Sequence, residues 1–269
     1  VEKLPDYRAY ILEDAKPLLH HVTAPGRWVA ENTLPAGDTR ERNYYLAPNR
    51  QLLDIPGRTR FKTLSSPQDC GTACGEFFTV RPDGELPADQ RRDDSGSLVF
   101  DSGKLHQPIE ILGRPKLRLK ISIDKPLGNI AVRLNDIHPN GEVSRVSWGV
   151  LNLAHRDGNE NPQPMVPGEA VSVEIELNEC GYRFMRGHKM RVALSTNYWP
   201  MVMPPPDNVT ATIRLGPDAL IALPVRAGVD AYTMDPPKDK NPLVEYSQIS
   251  EGLHRRWVER NFQTGESHY

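Results

Sequence analysis

Between residues 117 and 225 the chain alternates apolar and polar side chains with a period of two, seven times over. Leu117, Leu119, Ile121 and Ile123 alternate with Arg118, Lys120 and Ser122. Val171, Val173, Ile175 and Leu177 alternate with Ser172, Glu174 and Glu176, and Val209, Ala211, Ile213 and Leu215 with Thr210, Thr212 and Arg214. The same pattern is carried by Ile130, Val132 and Leu134, by residues 143–151 with Trp148 among them, by Met190, Val192 and Leu194, and by residues 220–225. A period of two sends successive side chains to opposite faces, so each segment reads as a strand with one face on a core and the other in water. No helical stripe interrupts the series. Strands at intervals of roughly 10 to 20 residues, with turn chemistry such as Pro139-Asn140-Gly141 between them, predict an all-β, two-sheet antiparallel sandwich.

The flanking text is of another kind. Proline numbers 25 in 269 residues, nearly twice the average share of about 5%. Pro35, Pro48, Pro56, Pro67, Pro82 and Pro87 punctuate residues 32–94. Proline fixes φ and removes a backbone donor, so short pieces such as Tyr44-Tyr45-Leu46 read as turns and edge strands in long Pro-rich loops. Arg81-Pro82-Asp83-Gly84 is a turn signal. Tyr7 to Leu12 alternates as a short strand, and Pro17 and Pro25 break the segment after it. Val244, Leu253 and Trp257 fit a helical face, but residues 255–262 also read as a strand ending in Thr264-Gly265-Glu266. The strand is preferred in all-β surroundings, with its partner expected beyond Tyr269.

Several functions are excluded at once. Lys and Arg number 33 against 35 Asp and Glu, for a net charge of −2, so there is no basic field with which to grip nucleic acid. Apolar runs fall far short of the ~20 residues that cross a bilayer. Cys70, Cys74 and Cys180 read as free thiols in a reducing, cytoplasmic compartment, in preference to a loop disulfide or a metal site that would still need two more ligands. The chain has no Walker loop, no dinucleotide fingerprint and no H-E-x-x-H. It also lacks the G-x-S-x-G elbow that lifts a nucleophilic serine clear of the backbone: Ser95-Gly96-Ser97 and Asp101-Ser102-Gly103 are turn-like only. His20, His21, His138, His155 and His188 are scattered and read as surface or hydrogen-bonded side chains. No catalytic residue, cofactor or metal is expected.

Some residues carry local expectations. Gly187, after Tyr182 and Phe184, marks a tight turn with positive φ. Arg191 lies on the polar face of its strand and pairs with Asp136 or with a phosphate. Asp136 is preferred, because a carboxylate in an apolar strand needs a cation or donors. Tyr198-Trp199-Pro200-Met201-Val202-Met203, followed by three prolines, is a large apolar run just past a strand. It is a lid on the core, a docking face or a ligand platform. Tyr198, Trp199 and Met201, with Trp28, are the candidate interface or cleft-lining residues.

Five motifs agree in order with one family. They are Pro25-Gly26-Arg27-Trp28, Pro87-Ala88-Asp89-Gln90-Arg91, Leu134-Asn135-Asp136-Ile137-His138-Pro139-Asn140-Gly141, Pro167-Gly168-Glu169, and residues 184–200 around Gly187-His188-Lys189-Met190-Arg191. Over about residues 25 to 230 they resemble the C-terminal region of the cocaine-esterase and X-Pro dipeptidyl-peptidase family of serine hydrolases, with Asn140, Lys189 and Trp199 as modest departures. The resemblance implies a jelly-roll β-sandwich of the galactose-binding-like type over residues 31–269, truncated at its C-terminus. Residues 1–30 would then belong to, or lead from, an α/β-hydrolase domain of the same full-length protein, which holds the Ser, Asp and His. It further implies a non-catalytic role, packing on that domain and shaping its cleft. Two readings stand beside it. Trp28, Trp148, Trp199 and Trp257 could serve a carbohydrate- or ligand-binding sandwich, and residues 198–203 could mediate self-association.

Overall fold

A computed structural model describes residues 5–33, 36–77, 84–228, 231–233 and 257–268. The chain divides into two compact units, Val1–Tyr232 and Thr233–Tyr269. In the first, β1 (Tyr7–Glu13), β2 (Gly26–Glu31), β3 (Thr39–Leu46), β4 (Leu52–Leu53) and β5 (Arg60–Leu64) precede a short helix, α1 (Arg91–Ser95). Next come β6 (Leu98–Asp101), β7 (Ile109–Gly113), β8 (Lys116–Ile123), β9 (Asn129–Ile137) and β10 (Val143–Asn152). They are followed by β11 (Val171–Glu176), β12 (Cys180–Phe184), β13 (Lys189–Ser195), β14 (Ala211–Leu215) and β15 (Leu220–Arg226).

All seven alternating segments are strands, namely β8 to β11 and β13 to β15. The larger sheet runs β2-β1-β12-β7-β15-β8-β14-β5, with β11 also on β8, β3 on β15 and β4 on β3. The smaller runs β10-β9-β13-β6. One apolar core joins their facing sides: Leu119, Ile121 and Ile213 from the larger sheet meet Phe100, Val132 and Val192 from the smaller. This is the expected all-β sandwich. Among the described residues the named strand pairs are antiparallel apart from a short parallel contact in which Leu12 and Glu13 of β1 lie beside Tyr182 and Arg183 of β12, and an isolated parallel bridge joins Gln51 to Asp101.

Salt bridges clip the β1–β2 hairpin to the larger sheet. Glu110 of β7, itself buried, takes Arg27 of β2 at 2.6 Å and Arg226 of β15 at 3.1 Å. On the far side of β2 the carbonyl of Trp28 accepts the Tyr232 N–H at 2.8 Å.

The smaller sheet departs from the expected alternation. Period two alone would send its polar side chains to water, yet Arg133, Asn135 and Ser195 have no exposed surface. The reason lies in the Pro-rich stretch: part of residues 66–97, α1 included, folds over the outer face of this sheet. Gln90 anchors that cover, its N–H on the Val143 carbonyl at 3.0 Å and its side-chain amide on the Ala73 carbonyl at 2.9 Å.

Gly187 has φ +86°, as its turn requires. In the second unit β16 (Glu259–Arg260) pairs with β17 (Ser267–His268) across a turn. The tail strand therefore has a partner within the chain. Residues 81–83 of the expected turn, with Val244 and Leu253, fall outside the described residues.

Packing is close where β10 passes the end of β11: a Cβ on Gly149 would stand 2.5 Å from the Glu176 carbonyl oxygen. Gly149→Ala should destabilise the fold although it adds one methyl. Ile121→Ala, at a fully buried position, should cost about 2–5 kcal/mol. Urea denaturation reads both.

Candidate functional site

The register of the smaller sheet lines its outer-face residues into rows. Arg145, Asn135, Arg191 and Asp101 form one row across β10, β9, β13 and β6, and Trp148, Arg133 and Ala193 lie in the next. Arg133 is wholly buried. Its guanidinium stands 3.0 Å from Asp94 and 3.4 Å from Asp93, and donates to Ser97 Oγ at 2.7 Å. Arg191 reaches Asp101 at 2.6 Å and Asp94 at 3.0 Å. This corrects the expected pairing with Asp136. The cover brings Asp94 down onto the polar face that Arg191 shares, whereas Asp136 points from the opposite face of β9.

Arginine does not lose its proton in proteins, so a buried one needs a counter-charge. Here three carboxylates serve two guanidinium groups. Burial foremost, opposed by Arg133, pushes the Asp93 and Asp94 carboxyls above the ordinary carboxylate range, and the charge of Asp93 raises Asp94 further.

Beside this polar centre lies an apolar one. Tyr198 is buried, its hydroxyl bonded to the Arg145 guanidinium and its ring 5.4 Å from that of Trp148. Burial pushes its phenol up to about 12. Tyr198 thus acts as a lid on the sheet. Met201 packs half-buried on the same small cluster of Cys74, Ala131 and Tyr198. Trp199 is also half-buried, its N–H on the Cys70 carbonyl at 2.9 Å. Trp28 belongs elsewhere, on β2, with its ring edge-on to Tyr10 at 5.4 Å.

Phe77, which no sequence motif singles out, is 77% exposed and lies edge-on to Trp148 at 6.4 Å. Backbone bonds stitch its loop to the N-terminal segment: Glu76 N–H to the Glu85 carbonyl, and Leu86 N–H to the Leu19 carbonyl, both 2.9 Å. Leu18 and Leu19 are themselves exposed. Exposed apolar side chains thus stand on two loops joined through these backbone bonds, with Phe77 against Trp148. A sugar platform needs coplanar rings, but the ring pairs recorded among the described residues are inclined by 48° to 74°.

A third cluster sits at one end of the sandwich. Pairing of Ile137 with Lys189 places His138 and His188 side by side, their rings 4.9 Å apart. His188 Nδ1 bonds Asp136 at 2.9 Å, and the Tyr182 hydroxyl donates to the same carboxylate at 2.8 Å. His138 Nε2 lies 2.8 Å from Ser144 Oγ, and Asp14 Oδ1 is 3.0 Å from His138 Nδ1. Burial works to raise the Asp14 carboxyl, but the Lys16 ammonium foremost opposes it, and the group is held below its ordinary value.

Asp14, His138 and Ser144 are the residue types of a hydrolytic triad, yet they do not form one. The Ser144 hydroxyl gives its proton to the Ala15 carbonyl at 2.7 Å, so its oxygen accepts from His138 and has no proton for that base to take. Both histidines are hydrogen-bonded side chains, as their scatter along the sequence suggests. Their meeting is legible only through the β9–β13 register, and the arrival of Asp14 is not legible at all.

The family model of the X-Pro dipeptidyl-peptidase C-terminal non-catalytic domain matches residues 1–236. The chain belongs to that family. It is 24% identical over 186 residues to the cocaine esterase of Rhodococcus sp., covering 64% of this chain and 32% of that one. Among solved structures, an aminopeptidase from a marine sediment archaeon, Thaumarchaeota archaeon, superimposes with a TM-score of 0.65 at 19% identity, over 74% of this chain and 39% of the other. An α-amino acid ester hydrolase gives 0.60 at 21% identity, over 69% and 36%. These likenesses show the fold. The chain spans about a third of the length of the first curated relatives it matches. As a member of the family it is a non-catalytic domain, in accord with the missing serine elbow.

Arg133→Met would leave the buried Asp93 without its cation and Asp94 with Arg191 alone, and should cost about 3–5 kcal/mol, with Asp93→Asn costing less. The raised Asp93 carboxyl holds its proton in the folded chain above about pH 3.9, where the unfolded chain has released it. Its contribution to stability therefore falls as pH rises through that window. Urea midpoints of Asp93→Asn relative to the parent should shift in the variant's favour over the same interval.

Proposed function

We propose that this chain braces the catalytic domain of a larger serine hydrolase, packing on an α/β-hydrolase domain of the same protein and walling one side of its cleft. Membership of a non-catalytic domain family and the third of its relatives' length that it spans support this reading. The observation that carries it is the exposure of Leu18, Leu19 and Phe77, with Phe77 lying against the half-buried Trp148. Two of these residues lie in the segment 1–30, which we read as leading from the hydrolase domain. Apolar surface of this kind marks an interface.

In the assembled enzyme the chemistry would be acyl transfer on an ester or amide bond: serine attack with a histidine base, an oxyanion hole, then water. X-Pro dipeptides are one substrate class within it. This chain contributes none of those groups. Its part is to hold the wall of the cleft in place through the clipped hairpin and the covered sheet.

The purified chain should hydrolyse neither p-nitrophenyl esters nor X-Pro-p-nitroanilides, and turnover that a serine-directed fluorophosphonate abolishes would overturn the reading. The double variant Leu19→Ser/Phe77→Ser should keep the chain's stability within about 0.5 kcal/mol. It should also weaken capture of the coexpressed hydrolase domain at least tenfold. Unchanged capture would place the interface on another face.

A further inference from the structure

The cluster of Asp14, His138 and His188 has an unusual disposition of lone pairs. The Ala15 carbonyl can only accept, so Ser144 donates to it, and His138 Nε2 must therefore carry a proton to donate to Ser144 Oγ. Nδ1 of neutral His138 is then a bare lone pair. Asp136 likewise only accepts, so His188 carries its proton on Nδ1, and its Nε2 is bare as well. Both lone pairs face Asp14: Oδ1 is 3.0 Å from His138 Nδ1 and 3.6 Å from His188 Nε2. Two imidazole nitrogens and a carboxylate oxygen thus converge on one point, all within 4.8 Å of one another. Electron pairs gathered in this way repel unless a cation sits among them. A cation is close by, for Lys16 Nζ reaches His138 Nδ1 at 3.1 Å and Asp14 Oδ1 at 3.3 Å.

We propose that Asp14, His138 and His188 form a binding site for a divalent transition-metal ion of the zinc class, with the Lys16 ammonium as its internal competitor. Bonds of 2.0–2.1 Å in a tetrahedron set neighbouring ligands about 3.3 Å apart, and the separations of 3.0 and 3.6 Å bracket that value. Two histidines with one carboxylate, leaving a fourth position for water, suit zinc or cobalt. The outer shell is built as well. Metal-bound histidines donate their second N–H to a carboxylate or another fixed acceptor. Here Asp136 serves His188 and is itself held by Tyr182, while Ser144 serves His138. Both histidines are buried, whereas Asp14 and Lys16 remain half exposed, which leaves a path for the ion and room for the lysine to swing away. No motif announces this site, because its ligands come from the loop after β1, the end of β9 and the turn before β13. A bound ion would pin residue 14 to the smaller sheet and fix the segment that we read as leading from the catalytic domain.

The test uses the purified 269-residue chain, stripped with chelator and titrated with Co2+ and with Zn2+. One equivalent of Co2+ should give visible d–d absorption that Zn2+ displaces, and Zn2+ should raise the Tm. Asp14→Asn, which tolerates the left-handed backbone at this position (φ 49°), should weaken Zn2+ binding at least tenfold, and Lys16→Ala should tighten it. Absence of cobalt bands at millimolar Co2+ even in Lys16→Ala would overturn the proposal. So would binding that Asp14→Asn leaves unchanged, as the adjacent His20 and His21 would produce. Neither result depends on hydrolytic activity, so the proposal can fail while the bracing role stands.

Discussion

A guanidinium with no contact with water organises the smaller sheet. Arg133 cannot shed its charge, so the chain must bring carboxylates to it, and it does so by folding the Pro-rich stretch with α1 across the outer face. Once Asp93 and Asp94 are in place, Gln90 and Ser97 follow, Arg191 gains its partners, and the neighbouring row of Trp148 and Tyr198 is closed over. A four-stranded sheet that would otherwise wet one side gains a covering layer, and its strand β9 is buried on both faces. The extra burial is specific because it is polar: each misplacement of the cover would strand a charge in a medium of low polarity.

The elements that alternate strictly are legible in the sequence. β8, β11 and β14 are half-buried strands, and for such strands period two and burial coincide. β9 and β13 are legible as strands, but one face is not, because Arg133, Asn135 and Arg191 look like water-facing residues until their cover is known. β6, β7 and β12 escape detection because they are short: Leu98-Val99-Phe100 run together, while Ile109 to Leu112 and Cys180 to Phe184 alternate over only four or five residues. Proline density in residues 32–94 excludes long helices, and among the described residues of that stretch only the short α1 is helical. That density says nothing of where the loops lie, and their position decides the chemistry of the outer face.

Candidate sites divide along the same line. Residues 198–203 announce themselves by bulk, and the structure uses Tyr198 inside and its neighbours nearer the surface. Phe77 belongs to no motif in the sequence, and only the fold brings it against Trp148. The histidine cluster shows how separation along the chain hides a constellation: His138 stands 124 positions after Asp14. Short motifs report local chemistry, whereas a site assembled from a loop, a strand end and a turn is written only in the register.

The bond from the Tyr232 N–H to the Trp28 carbonyl has a consequence for solubility. β2 ends the larger sheet, and an end strand with free carbonyls and N–H groups is a template for adding foreign chains. By taking one of those carbonyls, the segment at residues 231–233 blunts the template. At the opposite end β5 presents Arg60 and Lys62, whose charges repel an incoming strand. A broad sheet is thereby kept from growing sideways, and contacts with other molecules are turned towards its loops and faces.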